Sequence, residues 1–328
     1  MTSTALTGVD VPSGASTPAA LAASTRGLRK TYGRTVAVDH VDLDVPEGSV
    51  LGMLGPNGSG KTTTIRMLLG LVRPTSGKVE LLGQPMPDGA GHALPDIGAL
   101  VESPGFHPFL SGRDNLLRMA AAEPRLATSD IPAAVDTSLE RVGLSGAASR
   151  RYRGYSLGMK QRLGLAGALL VPRRMVVLDE PTNGLDPAGT REVRTIIAEL
   201  NASGVTVLVS SHLLAEVEAT CTHVAVLHSG SVVAQGELAE LLESGSPALL
   251  VSTPDGPGAV EALREGRIPA RLTPEGVRVD LTATTPPDAI AALVHAGVRI
   301  QEARRARTGL EDLFARLTQQ EPEGEAGS

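Results

Sequence analysis

An α/β fold built around a phosphate-binding loop, joined to a small α+β domain, is predicted by three features of the 328-residue sequence. The run Gly55-Pro56-Asn57-Gly58-Ser59-Gly60-Lys61-Thr62-Thr63 has the spacing G-x-x-x-x-G-K-T and lies between a strand-like apolar segment and a helical one. A second apolar run, Met175-Val176-Val177-Leu178, ends in Asp179-Glu180, which puts two carboxylates at the C-terminal end of a buried strand. Beyond residue 247 short segments follow in the order strand, helix, strand, strand, helix, strand, which resembles a split βαβ unit.

Composition bounds the function. A 41% hydrophobic content suffices for a sizeable core, and with three Phe, three Tyr and no Trp that core is aliphatic. The formal charge of -6 argues against nucleic acid as the main partner, because phosphate backbones select basic faces. One cysteine, Cys221, excludes an internal disulfide and reads as a small buried hydrophobe. No apolar run reaches the ~20 residues that cross a bilayer, so the chain is expected to be soluble by itself. Residues 1–25, rich in Ser, Thr, Ala, Gly and Pro, lack the pattern of a secretion signal and read as a disordered tail.

From Leu28 the pattern alternates through Val36, Val38, Val41, Leu43 and Val45 to the turn Pro46-Glu47-Gly48, as in an antiparallel edge sheet. Tyr32 either stacks on a purine or is an edge-sheet tyrosine. Residues 50–54 form a short buried strand. The glycines that follow let backbone N–H groups converge on phosphate, and the next helix adds the partial positive charge of its N-terminus. Lys61 reaches the β- and γ-phosphates as a point charge, and the Thr62 hydroxyl is a ligand for the Mg²⁺ that bridges them.

A strand is expected at 78–82, a Pro/Gly-rich linker at 83–95, and a strand at 97–102 ending in Glu102. Residues 103–171 form a helical insert with helices at 113–122, 131–142 and 157–170. The apolar run at 174–178 is a central parallel strand. Of its terminal carboxylates, Asp179 is assigned to the metal shell and Glu180 to the base that orients or activates attacking water. After a helix at 188–201 and a strand at 205–209, His212 stands at the same sheet edge and can donate to the γ-phosphate, held by a helix over 213–221.

With these motifs in order, residues 28–236 resemble the nucleotide-binding subunit of ABC transporters, a P-loop NTPase of the ABC ATPase fold. Tyr155-Ser156-Leu157-Gly158-Met159-Lys160-Gln161 is similar to that family's LSGGQ signature, Asn183 to Asp186 to its D-loop, His212 to its switch histidine and Tyr32 to its adenine-stacking aromatic. The resemblance implies an ATPase using ATP and Mg²⁺, with Asp186 among the nucleotide-site residues. It also implies a homodimer in which ATP on Lys61 of one copy is capped by Ser156 and Gly158 of the other. The expected location is the cytoplasmic face of the membrane, peripherally bound to an integral-membrane permease. Glu102 stands where most members place a glutamine that touches Mg²⁺, so it is either a metal ligand or a surface carboxylate. The segment Ser103-Pro104-Gly105-Phe106-His107-Pro108-Phe109 and Tyr155 resemble the subgroup that exports bacitracin-type and lantibiotic-type peptides. The rival readings are a soluble ABC-type ATPase acting on a macromolecular complex, and an importer ATPase; ribosome-acting relatives carry two cassettes per chain and DNA-repair relatives carry long heptads, neither present here.

The cassette is expected to occupy 26–243 and the accessory α+β domain 244–320, with strands or helices at 248–252, 259–264, 270–272, 277–282, 287–295 and 298–303. Leu310, Leu313, Phe314 and Leu317 form one face of a final helix. Arg304, Arg305 and Arg307 read as a solvated face, and residues 321–328 as a disordered acidic tail.

Overall fold

The computed structural model describes residues 20–101, 105–243, 247–306, 310, 313 and 314. It opens on a long antiparallel hairpin, β1 (Leu21–Tyr32) and β2 (Thr35–Pro46). The first strand begins seven residues before the expected apolar pattern, so residues 21–25 are sheet rather than tail. Their Ala, Ser and Thr side chains give little hydrophobic signal. The strand forms because Ala23 is paired on both sides, with Val45 and with Leu81, which satisfies its backbone and buries it. Residues 1–19 lie outside the described part.

The phosphate loop follows β3 (Val50–Leu54) and leads into α1 (Lys61–Leu68). Then come β4 (Ser76–Leu81), β5 (Gln84–Pro85), α2 (Ala90–Ala93) and β6 (Ile97–Leu100). The region expected to be a linker at 83–95 therefore holds α2 and β5, the latter completing the small antiparallel sheet β2-β1-β4-β5. The helical insert is as the periodicity predicts, with α3 (Gly112–Ala121), α4 (Ile131–Arg141) and α5 (Leu157–Ala168). Ser111 caps α3 by accepting from Asp114 N, and Ser156 caps α5 by accepting from Met159 N.

The chain returns to the sheet through β7 (Met175–Asp179), α6 (Pro187–Ala202), β8 (Thr206–Ser211) and α7 (Leu214–Thr220). A hairpin that the sequence reading left unassigned follows, β9 (His223–His228) and β10 (Ser231–Glu237), turning at Ser229-Gly230 with positive φ at both residues. The central sheet is ordered β10-β9-β3-β8-β7-β6, parallel except for β10. Its inner strands β3, β7 and β8 are wholly buried and mostly apolar because both faces are covered, while the edge strand β10 is partly exposed. Val50, Leu54, Val176 and Leu178 face one core with the helical insert, while Leu51, Met53, Met175 and Val177 face another with α1 and the antiparallel sheet.

After α8 (Leu238–Glu243) the accessory unit comprises β11 (Ala248–Ser252), α9 (Gly256–Glu265), β12 (Ala270–Thr273), β13 (Gly276–Asp280), α10 (Pro286–His295) and β14 (Glu302–Ala306). The sheet order β12-β13-β11-β14, antiparallel throughout, is that of the expected split βαβ unit. Its last strand sits at 302–306, four residues later than the apolar pattern at 298 indicates, because Val298 and Ile300 pack beneath the sheet as loop residues.

Leu310, Leu313 and Phe314 are helical but do not belong to this unit's core. They pack into the cassette core that holds Val217 of α7, and the Leu310 amide donates to Glu218 Oε1. These residues fall within the range 244–320 expected for the accessory domain but pack on the cassette. Leu317, Arg307 and residues 321–328 lie outside the described part. Arg304 pairs with Glu275 at 3.3 Å on an exposed face, as a solvated arginine does.

Cys221 closes the space beside β3, where a side chain at Gly52 would meet its sulfur. Burial pushes its thiol up to about 12. A thiol with that value is only about one part in ten thousand thiolate at pH 8. Native protein should therefore give no fast reaction with a chromogenic disulfide at pH 8, and one equivalent on unfolding in urea; a full equivalent within the mixing time of the native protein would contradict the burial.

Candidate nucleotide site

The site is made where three parallel strands end side by side. Register places Leu54 of β3 level with Ser211 of β8, and Ser210 of β8 level with Asp179 of β7. The loop after β3 and the residues after β7 and β8 thus meet at the carboxyl edge of the sheet, where open α/β folds bind ligands.

The loop conformation needs glycine. Gly58 and Gly60 have φ of 85° and 99°, and a Cβ at Gly60 would also press on Ala37 O of β2. Within the cradle the Lys61 ammonium is 5% exposed and donates to the carbonyls of Gly55 at 2.7 Å and Pro56 at 3.2 Å. The Ser59 hydroxyl is buried with no partner. Pro56, Asn57 and Thr63 complete the turn into α1. A buried ammonium held by carbonyls and an orphaned hydroxyl, with helix amides behind them, form a donor set suited to phosphate oxygens.

The Thr62 hydroxyl donates to Asp179 Oδ1 at 3.2 Å, so the two oxygens assigned to Mg²⁺ by sequence are adjacent. They are hard oxygen donors, which fits Mg²⁺ completed by phosphate and water. Glu180 follows in the left-handed region, with φ of 49°, uncommon for a residue with a side chain. Its amide donates to Ser210 Oγ at 2.9 Å, and Ser210 Oγ donates to Asp179 Oδ1 at 2.6 Å. The twist sends the Glu180 carboxylate across the strand ends, where Oε2 lies 2.7 Å from His212 Nδ1 and Oε1 lies 3.6 Å from Lys61 Nζ. Lys61, Glu180 and His212, assigned from distant parts of the sequence, are brought together.

Tyr32 is half exposed at the end of β1, opposite Thr35; two residues farther along β2, Ala37 lies against Gly60. The Lys30 ammonium lies over the Tyr32 ring, 5.1 Å from the centroid. Asp186 accepts from Gly189 N at 2.8 Å and caps α6, so the structure gives its carboxylate a capping bond. Glu102 lies outside the described residues. Ser156 and Gly158 are not joined to this group. Their helix α5 packs on β6, three strands from β3, a separation of ~14 Å in the sheet at ~4.8 Å per strand. Leu157 and Leu185 bring the signature against the 183–186 turn of the same chain. Tyr155 is buried instead of facing a ligand, donating to Ala147 O at 2.8 Å within the helical insert.

Sequence reasoning gives no role to Ser210; the signal for it is a hydroxyl at the end of an otherwise apolar strand. Ser210→Ala takes the acceptor from the Glu180 amide and leaves Asp179 Oδ1 with the longer Thr62 bond alone, and it should cost about 1–3 kcal/mol of stability. Urea unfolding of the variant measures this, and an unchanged midpoint would show both groups satisfied otherwise.

Among the described residues no helix is long and apolar enough to cross a membrane. A model of the ABC transporter family matches residues 38–183. The chain is 44% identical over 210 residues to the bacitracin transport ATP-binding protein BcrA of Bacillus licheniformis, covering 64% of this chain and 67% of that one. It is 33% identical over 296 residues to the bacitracin transport ATP-binding protein BcrA of Enterococcus faecalis, 89% and 95% of the two chains. A solved ATP-binding subunit of an ABC transporter superposes with a TM-score of 0.61 at 28% identity, over 68% of this chain and 92% of that one. Fold, motif order and full-length similarity agree: the chain belongs to the ABC transporter family as an ATP-binding subunit, and it is an ATPase.

Proposed function

We propose that this chain is the motor of an exporter, in which two copies close on ATP and drive a separate integral-membrane permease from the cytoplasmic face of the membrane. The observation that carries the reading is the cluster of Glu180, His212 and Lys61 at the carboxyl edge of the sheet, with contacts of 2.7 and 3.6 Å. ATP would lie with its phosphates in the loop Gly55 to Thr63 and its base on Tyr32. Lys61 would exchange its two carbonyls for phosphate oxygens, and Ser59 would find the partner it lacks. Thr62 and Asp179 would hold Mg²⁺, which when bound neutralises phosphate charge. Glu180 accepts hydrogen bonds where a water attacking the γ-phosphate must be oriented, and His212 keeps Glu180 in place while offering its other ring nitrogen to that phosphate.

The separation of Ser156 and Gly158 from the loop of their own chain supports a second copy as their ligand-binding partner. A signature that cannot reach its own loop is completed by an antiparallel pair in which each copy caps the other's nucleotide. The proposed cargo, a peptide or small-molecule antibiotic, rests on the two bacitracin transport relatives.

Two variants test the site. Glu180→Gln should abolish turnover while keeping ATP, and in size-exclusion chromatography with ATP it should run as a dimer. Lys61→Ala should instead weaken nucleotide binding itself, by roughly 1.5–3 kcal/mol as a lost charged hydrogen bond. Wild-type hydrolysis by Glu180→Gln would remove the assigned base, and a strictly monomeric ATP-loaded variant at high concentration would remove the dimer. Co-purification of tagged Glu180→Gln from detergent-solubilised membranes checks the permease.

A further inference from the structure

The 2.7 Å contact between Glu180 and His212 joins two segments that diverge as soon as they leave the sheet. After Glu180 the chain runs through Pro181 and Thr182 toward α6, and after His212 it enters α7. One side chain ties the two together behind the contact. Glu216, in the first turn of α7, accepts on a single oxygen, Oε2, from Thr182 Oγ1 at 2.6 Å and from Ser211 Oγ at 3.0 Å. Ser211 Oγ in turn accepts from Leu213 N at 3.0 Å, which fixes the backbone on the far side of His212. Thr182 is two residues beyond Glu180, and Ser211 is the residue before His212.

The surroundings make these bonds effective. Glu216, Thr182 and Ser211 line a small, partly open pocket whose other walls include Arg194, Ile197, Val209 and Val217. Hydroxyl-to-carboxylate bonds beside an apolar wall are short and strong, since water competes poorly there. Val217, the next residue of α7, is buried in the cassette core, so the helix has a fixed footing from which Glu216 can hold both segments.

We propose that Glu216 is a positioning residue for ATP hydrolysis, setting the approach of Glu180 to His212 by bridging Thr182 and Ser211. The inference rests on the roles given above to Glu180 and His212. Glu216 touches neither and meets no substrate.

The test compares Glu216→Ala, Glu216→Gln and Thr182→Val in steady-state hydrolysis, equilibrium binding of a fluorescent ATP analogue, and thermal unfolding. Loss of the bridge lets the two segments drift by an ångström-scale distance, so Glu216→Ala should lower kcat roughly tenfold to a hundredfold, with KM and analogue affinity within about twofold of wild type. Glu216→Gln keeps an oxygen that accepts both bonds and should recover most of the rate. Thr182→Val, the milder change, should lower kcat on its own, and should add little in the Glu216→Ala background because both remove the same link. Wild-type kcat in Glu216→Ala and Thr182→Val overturns the proposal. So does a loss of rate in Glu216→Ala that tracks its unfolded fraction, or one that multiplies with that of Thr182→Val. Wild-type turnover by Glu180→Gln would instead strike the underlying assignment of the base.

Discussion

A positive charge that is almost wholly removed from water organises this molecule. The Lys61 ammonium would be prohibitively placed without compensation, and compensation comes from two loop carbonyls and the Glu180 carboxylate. Those groups can reach it only if the loop doubles back on glycine and if three strands end level. The twofold burial of the central sheet supplies the second condition. Aliphatic residues alternate to cores on either side of β3, β7 and β8, so the strand ends do not slip relative to one another. The aliphatic composition and the buried ammonium are thus two ends of one arrangement.

The left-handed backbone at Glu180 shows the same economy on a smaller scale. Such a conformation is disfavoured by about 1–3 kcal/mol for a residue with a side chain. It is held by Ser210, whose hydroxyl takes the Glu180 amide and gives its own proton to Asp179. One buried hydroxyl therefore sets both carboxylates, aiming one toward Thr62 and turning the other toward His212 and Lys61.

The parts of this fold that are legible in the sequence are those whose signal is local. The phosphate loop, β3, β7 and the helices of the insert each carry their own spacing or period, and they lie within a few residues of where the pattern puts them. The elements missed depend on partners far away in the chain. Residues 21–25 are strand because Val45 and Leu81 flank them, not because Leu-Ala-Ala-Ser-Thr looks like one. Val298 and Ile300 mimic a strand but serve the core beneath the sheet, and pairing begins only at Glu302. At the site, Lys61, Asp179, Glu180 and His212 were readable because each ends a strand or starts a helix of recognisable type. Ser210 was not, since a serine acquires meaning only when the neighbouring strand's register brings Asp179 beside it.

The packing of Leu310 and Leu313 into the cassette ties its completion to the far end of the accessory unit. Leu310 meets Glu218 at a sequence separation of 92. During synthesis at about 5–20 residues per second, the surface of α7 that receives them stays bare for roughly 4–15 s after the cassette's own last strand has emerged. In that interval a nascent cassette carries an uncovered apolar patch beside its hydrolytic site. Leu310, Leu313 and Phe314 therefore cover the cassette only after the whole accessory unit has been made, and contacts of such long range slow folding.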